Sequence, residues 1–181
     1  VYDEEGAVDS YEIKWAVFAA TGFLDYTPFG GINVFAFDLK TGERLWYFSE
    51  QYSDSINDIP GAVTIFDTTG DDFVDRVFVG DMNGRLWEIN ALNGVNPHGT
   101  EQVVVGEGDD AVVVEKQIPL WNAGIGNPIS VSPAITRYNP VVVVFGTGGT
   151  DWASNDQNYS VFAINASDLK SGTDKNYTDG A

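Results

Sequence analysis

Apolar side chains in this chain fall at every second position, or run together for a few residues, and each stretch stops at Gly, Asn or Asp. A two-residue period belongs to strands, whose successive side chains point to opposite faces; a helix would repeat its apolar positions every three to four residues. "KWAVFAATGF" (14–23), "DRVFVGDMNG" (75–84) and "PVVVVFGTGG" (140–149) each read as a strand running into a Gly-rich turn. A second strand follows each, in "NVFAFDLKTGERLW" (33–46), "GRLWEINALNG" (84–94) and "SVFAINASDLKSG" (160–172). Two of the hairpins have a related strand upstream, "PGAVTIFD" (60–67) and "VSPAITRYN" (131–139). Helical periodicity is short and weak, so the pattern predicts an all-β chain.

The recurrence defines approximate units 14–58, 60–117 and 128–172. A period of roughly 60 residues exceeds the 40 to 50 of common propeller blades, which implies inserted loops. Each unit reads as an antiparallel sheet that cannot bury both faces alone and must stack on a neighbour. In "DLKTGE", Asp38 is placed to accept hydrogen bonds from turn amides, Gly42 to take the positive φ that reverses the chain, and Trp46 to pack between sheets. The expected architecture is therefore about three propeller-like blades in one domain spanning 1–181. A β-sandwich with accidental internal similarity is the alternative. Known propellers have at least about four blades, so three belong to a larger propeller or are completed by partner chains. The end "SGTDKNYTDGA" reads as a truncation.

Composition narrows the function classes. The 181 residues are 43% hydrophobic and 13% aromatic, which suits a packed β domain. Nine basic against 27 acidic residues give a formal charge of −18, which argues against nucleic acid and against anionic membrane surfaces. The same charge suits divalent cations or cationic partners, although most of these carboxylates read as a solvated surface. No apolar run approaches the roughly 18 residues of a membrane span. The chain has no cysteine, which removes thiolate chemistry and disulfides.

The run "DTTGDDFVD" (67–75) concentrates carboxylates at its first, fifth and ninth positions. Calcium takes six to eight oxygen ligands, and a looping chain supplies them from alternate side chains and one carbonyl. The candidate ligands are Asp67, Asp71 and Asp75 through their carboxylates, Thr69 through its hydroxyl or a water, and Phe73 through its main-chain oxygen. The twelfth position, a Glu in helix–loop–helix sites, is Phe78. Asp75 must then close the site, and affinity should fall in the extracellular range of roughly 10⁻⁵ to 10⁻³ M. Asp72 stands where such loops carry Gly and must adopt the turn that Gly would take freely. Asp72 and Asp81 could be outer ligands but read better as solvated turn residues. The competing reading of the loop is a polar turn whose carboxylates cap amides without metal.

"AFDLKTGERLW" (36–46) resembles the tryptophan-docking pattern A-x-D-x-x-T-G-x-x-x-W of quinoprotein-like β-propellers. "DTTGDDFVDRVFVGDMNGRLWEIN" (67–90) resembles a signature of the PilY family of type IV pilus-associated proteins, in which an Asp-rich calcium loop runs into a hairpin. "IPLWNAGIGNPISVSPAI" (118–135) and "VVVVFGTGGTDWASNDQNYSVFAI" (141–164) are similar to later segments of that family, in the same order. Thr69 and Asp72 depart from its usual Asp or Asn and Gly. The resemblance implies a C-terminal propeller on an exported, surface-located protein at the pilus base or tip. It implies roles in pilus assembly, adhesion and twitching, calcium as modulator, and pilins or minor pilins and a surface ligand as partners. Strand addition at an open blade edge is one route to docking.

No catalytic set accompanies these features. His98, the single histidine, lies in "NPHGT" and reads as a solvated loop residue without a Ser or Cys partner. "FGTGG" (145–149) lacks the Lys and helix of a phosphate loop and reads as a tight strand exit. The pair Asp109 and Asp110 reads as a polar hairpin tip. Asn158, Asn165 and Asn176 begin N-x-S/T triplets at a frequency expected by chance. Two further readings stay open: a fragment of a quinoprotein dehydrogenase-like propeller, disfavoured by the missing cysteines, and a structural scaffold with an empty loop.

Overall fold

The computed structural model describes residues 13–22, 31–50, 57–136, 141–148 and 159–166. Their strands are β1 (Ala16–Ala20), β2 (Ile32–Asp38), β3 (Arg44–Glu50), β4 (Thr64–Phe66), β5 (Arg76–Gly80), β6 (Arg85–Asn90), β7 (Thr100–Val105), β8 (Val112–Gln117), β9 (Trp121–Asn122), β10 (Ala134–Ile135), β11 (Val142–Gly146) and β12 (Val161–Asn165). Three sheets have the orders β1-β2-β3, β4-β5-β6-β9 and β10-β11-β12, and β7-β8 is a separate hairpin. The fold is all-β, built of small antiparallel sheets that do not close into a barrel and are consistent with partial propeller-like blades. Among the described residues no helix is long and apolar enough to cross a membrane. The triplets at Asn158 and Asn176 and the "DLKSG" of 168–172 lie outside the described residues.

The three sheets share one register. Ala16 pairs with Asp38, Arg76 with Asn90 and Val142 with Asn165, each opening a five-residue ladder. Just past each ladder a further amide closes the frame: Leu39 N–H donates to Trp15 O, Ala91 N–H to Asp75 O and Ala166 N–H to Val141 O, at 2.7, 2.8 and 2.8 Å. At the other end Thr21, Asp81 and Thr147 donate their N–H to the carbonyls of Asn33, Arg85 and Ser160. Position-by-position equivalence therefore rests on pairing geometry as well as on residue likeness.

The turns follow their chemistry. Asp38 Oδ1 accepts from the amides of Lys40 (2.7 Å) and Thr41 (3.1 Å), which hold its carboxyl below the usual carboxylate range, and Gly42 has φ +73°. The second sheet repeats this device with Asn90, whose side chain accepts from Leu92 N–H, and with Gly94 at φ +73°.

Stacking buries the sheets against one another. Val34, Ala36, Trp46 and Phe48 of the first sheet meet Val77, Val79, Trp87 and Ile89 of the second. Successive side chains alternate faces, so Phe78 and Leu86 look the other way, onto Val143, Phe145 and Ile164 of the third sheet. Trp46 is placed as its spacing predicts: buried, with Nε1–H donating to Ala91 O at 2.8 Å. Its ring lies so close to Gly94 that a Cβ there would sit 2.7 Å from it. Similarly, a Cβ on Gly80 would lie 2.2 Å from Ile129.

The inserted length also has a place. The outer strand of the second blade starts where Asn90 N–H donates to Val95 O and resumes at β9, which pairs with β6. Between them β7 and β8 leave as a hairpin whose base is closed by Ile118 N–H to Gly99 O at 3.0 Å. Gln117 N–H donates to Glu50 Oε2 at 3.0 Å, which ties that base to the first sheet.

Trp46→Ala is expected to cost about 3–5 kcal/mol in urea unfolding, by cavity formation between sheets. Trp46→Phe, which keeps most of the ring and leaves the Ala91 carbonyl without its donor, should cost about 1–3 kcal/mol.

Candidate functional site

The segment 67–75 bridges β4 and β5, and its ends meet where Asp75 N–H donates to Phe66 O at 3.0 Å. Asp67 Oδ1 accepts from Gly70 N–H (2.6 Å), Thr69 N–H (3.1 Å) and the Thr69 hydroxyl (3.2 Å), while its Oδ2 accepts from Asp72 N–H (2.8 Å). Asp75 Oδ2 accepts from both the amide and the hydroxyl of Thr68, each at 2.7 Å, and from Thr69 N–H at 3.0 Å. The Thr69 amide is thus shared by the first and last carboxylates of the loop. Asp71 Oδ1 accepts from Phe73 N–H at 3.0 Å. Phe73 is exposed, so the loop is wrapped around polar groups rather than an apolar centre.

Desolvation pushes Asp67 up, but the hydrogen bonds from Gly70, Asp72 and Thr69 together outweigh it and hold the group below the usual carboxylate range. Asp75 behaves alike: desolvation and the nearby Asp67 charge raise it, and the Thr68 and Thr69 donors bring the net shift down. Both carboxylates are therefore kept ionised, the state a hard cation requires. Asp72 has φ +70° and is the one non-glycine in the left-handed region among the described residues, as its place in the loop demands. The structure brings Asp67, Thr69 and Asp75 together and leaves Asp71 with its own local partner. Among the described residues no three His, Asp or Glu side chains are gathered as a metal cluster.

Two neighbouring residues differ from their expected roles. Asp81 is wholly buried instead of solvated. Its Oδ1 accepts from the amides of Asn83 and Arg85, both at 2.9 Å, and its Oδ2 from Asn57 Nδ2–H (2.9 Å) and Trp87 Nε1–H (2.8 Å). Burial raises the Asp81 carboxyl above its usual range even against these donors. Among the described residues the equivalents Thr21 and Thr147 each accept one comparable bond, from Asn33 N–H and Ser160 N–H. An acid followed two residues later by Asn and six later by Trp is the signal that would have pointed to this knot, which the reading of Asp81 as a solvated turn residue missed.

His98 is likewise buried rather than solvated. It stands eight residues after Asn90, as Trp46 stands eight after Asp38. There its Nε2 lies 2.9 Å from Glu88 Oε2, and Arg76 Nε bonds Glu88 Oε1 at 2.8 Å. A polar trio thus replaces the docking indole at the second blade boundary. His98 is thus a buried imidazole held by Glu88. Gly148 in "FGTGG" has φ +91° and donates its N–H to Pro128 O at 2.7 Å, the tight exit expected of that stretch.

No protein-family model matches the chain, and no curated protein does. Among solved structures it is similar to the crystal structure of the Pseudomonas aeruginosa PilY1 C-terminal domain, with a TM-score of 0.56 and 18% identity. The match covers 83% of this chain and 34% of that one, so this chain spans about a third of the structure it matches. The likeness is one of fold.

Asp81→Ala should cost about 3 kcal/mol or more in chemical unfolding, because four donors lose this shared acceptor and the buried Asn57 amide and Trp87 indole N–H are left facing a cavity. In metal-free protein, the folded-state carboxyls of Asp67 and Asp75 lie below their ordinary value of 3.8. Their stabilisation is accordingly complete above that value and lost as pH falls through the lowered one. Asp81 has the opposite sign: raised by burial, it favours the folded protein at low pH and gives up that advantage as pH climbs through its folded value. Thermal melts from pH 7 to 2 should therefore lose less stability in acid for Asp67→Asn than for the wild type.

Proposed function

We propose that this chain is a non-catalytic β-propeller portion of a PilY-type, type IV pilus-associated protein, exported to the cell surface. Its work would be pilus assembly, adhesion and twitching, with pilins or minor pilins and a surface ligand as partners. The observation that carries this reading is the fold likeness to the PilY1 C-terminal domain over 83% of the chain. It agrees with the quoted sequence segments from Asp67 to Ile164, which resemble that family in the same order.

In this reading the loop binds Ca²⁺ through Asp67, Thr69, Asp71, Phe73 and Asp75. Support comes from the all-oxygen donor set, from carboxyls held ionised, and from the left-handed Asp72 in a place that chelating loops give to Gly. A cation there would let Asp71 turn inward and would offset the repulsion between Asp67 and Asp75. Because Asp75 is followed directly by β5, calcium would act first as a staple on that strand, and as a regulator only where its affinity matches ambient calcium.

Calorimetric titration of the metal-stripped chain should give one calcium per chain with Kd of about 10⁻⁵ to 10⁻³ M, lost in Asp75→Ala and not reproduced by magnesium. Calcium at 100 times Kd should add about 2.7 kcal/mol to stability. Absence of heat and of any melting shift would leave the loop an amide-capped turn. The pilus role is tested separately, by twitching and surface piliation in cells whose parent protein lacks this region; unchanged piliation and motility would remove it.

A further inference from the structure

Among the described residues the β7–β8 hairpin pairs with no third strand. Its outer half carries six valines in three cross-strand pairs: Val103 with Val114, Val104 with Val113 and Val105 with Val112. Successive side chains alternate faces, so both faces of the hairpin are apolar there. None of the six belongs to the cores between the sheets, and Val104, Val112 and Val113 are 65%, 55% and 62% exposed. The base is anchored instead. Lys116 is buried, and the Asn96 side-chain amide donates to Gln117 Oε1 at 3.1 Å and to Ile118 O at 2.8 Å. A fixed base thus carries an apolar two-stranded ribbon, a unit that is marginal in water without a further strand.

The ladder settles which backbone groups are spare. Ile118 N–H donates to Gly99 O, so by alternation Glu101, Val103 and Val105 bond to β8. Thr100, Gln102 and Val104 therefore aim their N–H and C=O groups away from the hairpin, and all three residues are exposed. The outer edge of β8 differs, because Gln117 N–H is taken there by Glu50. Exposed edges are ordinarily blunted by Pro, Lys or a bulge. The β7 sequence TEQVVV contains neither residue, and its register with β8 runs without a shift. Charge frames the same edge. Exposed Glu101 and Glu115 flank the valines on the base side, exposed Glu107 and Asp110 flank them at the tip, and the one basic residue of the hairpin is the buried Lys116.

We propose that the outer edge of β7 (Thr100–Val105) docks an extended segment of another protein, apolar along its middle and carrying Lys or Arg at both ends, which adds to the hairpin as a third strand. Main-chain bonds to Thr100, Gln102 and Val104 would hold it, the valines would cover its apolar side chains, and the two acidic ends would set its position. Charge also decides against a second copy of this chain. Pairing β7 with another β7 would set acid against acid, in a chain of formal charge −18. The inference needs neither the calcium site nor the pilus role.

The test titrates the full chain into a dye-labelled peptide, Lys-Val-Thr-Val-Thr-Val-Lys, and follows fluorescence anisotropy. Saturable binding is expected, at least tenfold weaker for the same peptide with Glu at both ends, and weaker as salt rises. In the unaltered chain, peptide slows hydrogen exchange of the Gln102 and Val104 amides several-fold and leaves Val113 unchanged. Val104→Pro removes one outward N–H without touching the bonds to β8, and abolishes binding. Val113→Pro, the matching change on the other edge, leaves binding intact. No binding, equal binding of the Glu-ended peptide, or protection at Val113 instead of Val104 would overturn the inference. So would self-association of the chain that Val104→Pro abolishes, since it would give the edge to a second copy.

Discussion

A sheet of three or four short strands with apolar side chains on both faces is not stable in water by itself, and the structure follows from that constraint. The second sheet meets it fully. Val77, Val79, Trp87 and Ile89 look toward one neighbour, while Phe78 and Leu86 look toward the other, so this sheet is held from both sides. At roughly 25 cal/mol for each Å² of apolar area removed from water, that double burial is a large stabilising contribution to the second sheet. Polar devices then fix the geometry that burial alone leaves loose. The indole N–H of Trp46 sets how far the first sheet slides on the second, and Asp81 gathers four donors to hold the head of the second hairpin.

The two boundaries solve one problem with different chemistry. The first is an indole on a glycine platform. The second puts His98, Glu88 and Arg76 in the corresponding place, where hydrogen-bond direction matters more than ring area. Breaking such a buried polar set by removing one member costs more than the set contributes, because the remaining groups are left desolvated. The second boundary is accordingly sensitive to loss of any one member of its set, while the first depends on the ring of Trp46 and its single N–H donor.

Much of the fold could be read from the residues, because its signals are local. Alternation marked the strands, and the Asp38–Gly42 turn with Trp46 eight residues beyond Asp38 showed both the reversal and the direction of packing. Asp72 could be assigned an unusual backbone from its place in the loop alone. Asp81 and His98 were misread for one reason. Each looks like a turn residue in its immediate context, and each has a partner outside that context: Asn57 lies 24 residues before Asp81, and Glu88 ten before His98. The blade-to-blade equivalence of His98 and Trp46 is invisible to residue likeness, since an imidazole and an indole share little beyond a ring N–H. It needs the register. The loop carboxylates were identified as candidates by spacing, but their engagement with the loop's own amides depends on backbone directions that spacing does not encode.

The β7-β8 hairpin shows what a spliced strand permits. The residues on either side of its base, Gly99 and Ile118, are joined by one backbone hydrogen bond. The outer strand of the second blade therefore runs on as though the intervening chain were absent. Closing a longer excursion at the same two points adds only a slowly growing entropic cost, about 0.6 kcal/mol for each doubling of its length. This junction is thus a port in the domain. Sequence can be lengthened, shortened or exchanged there without altering the register of any blade, which leaves this part of the molecule free to diversify while the stacked sheets stay fixed.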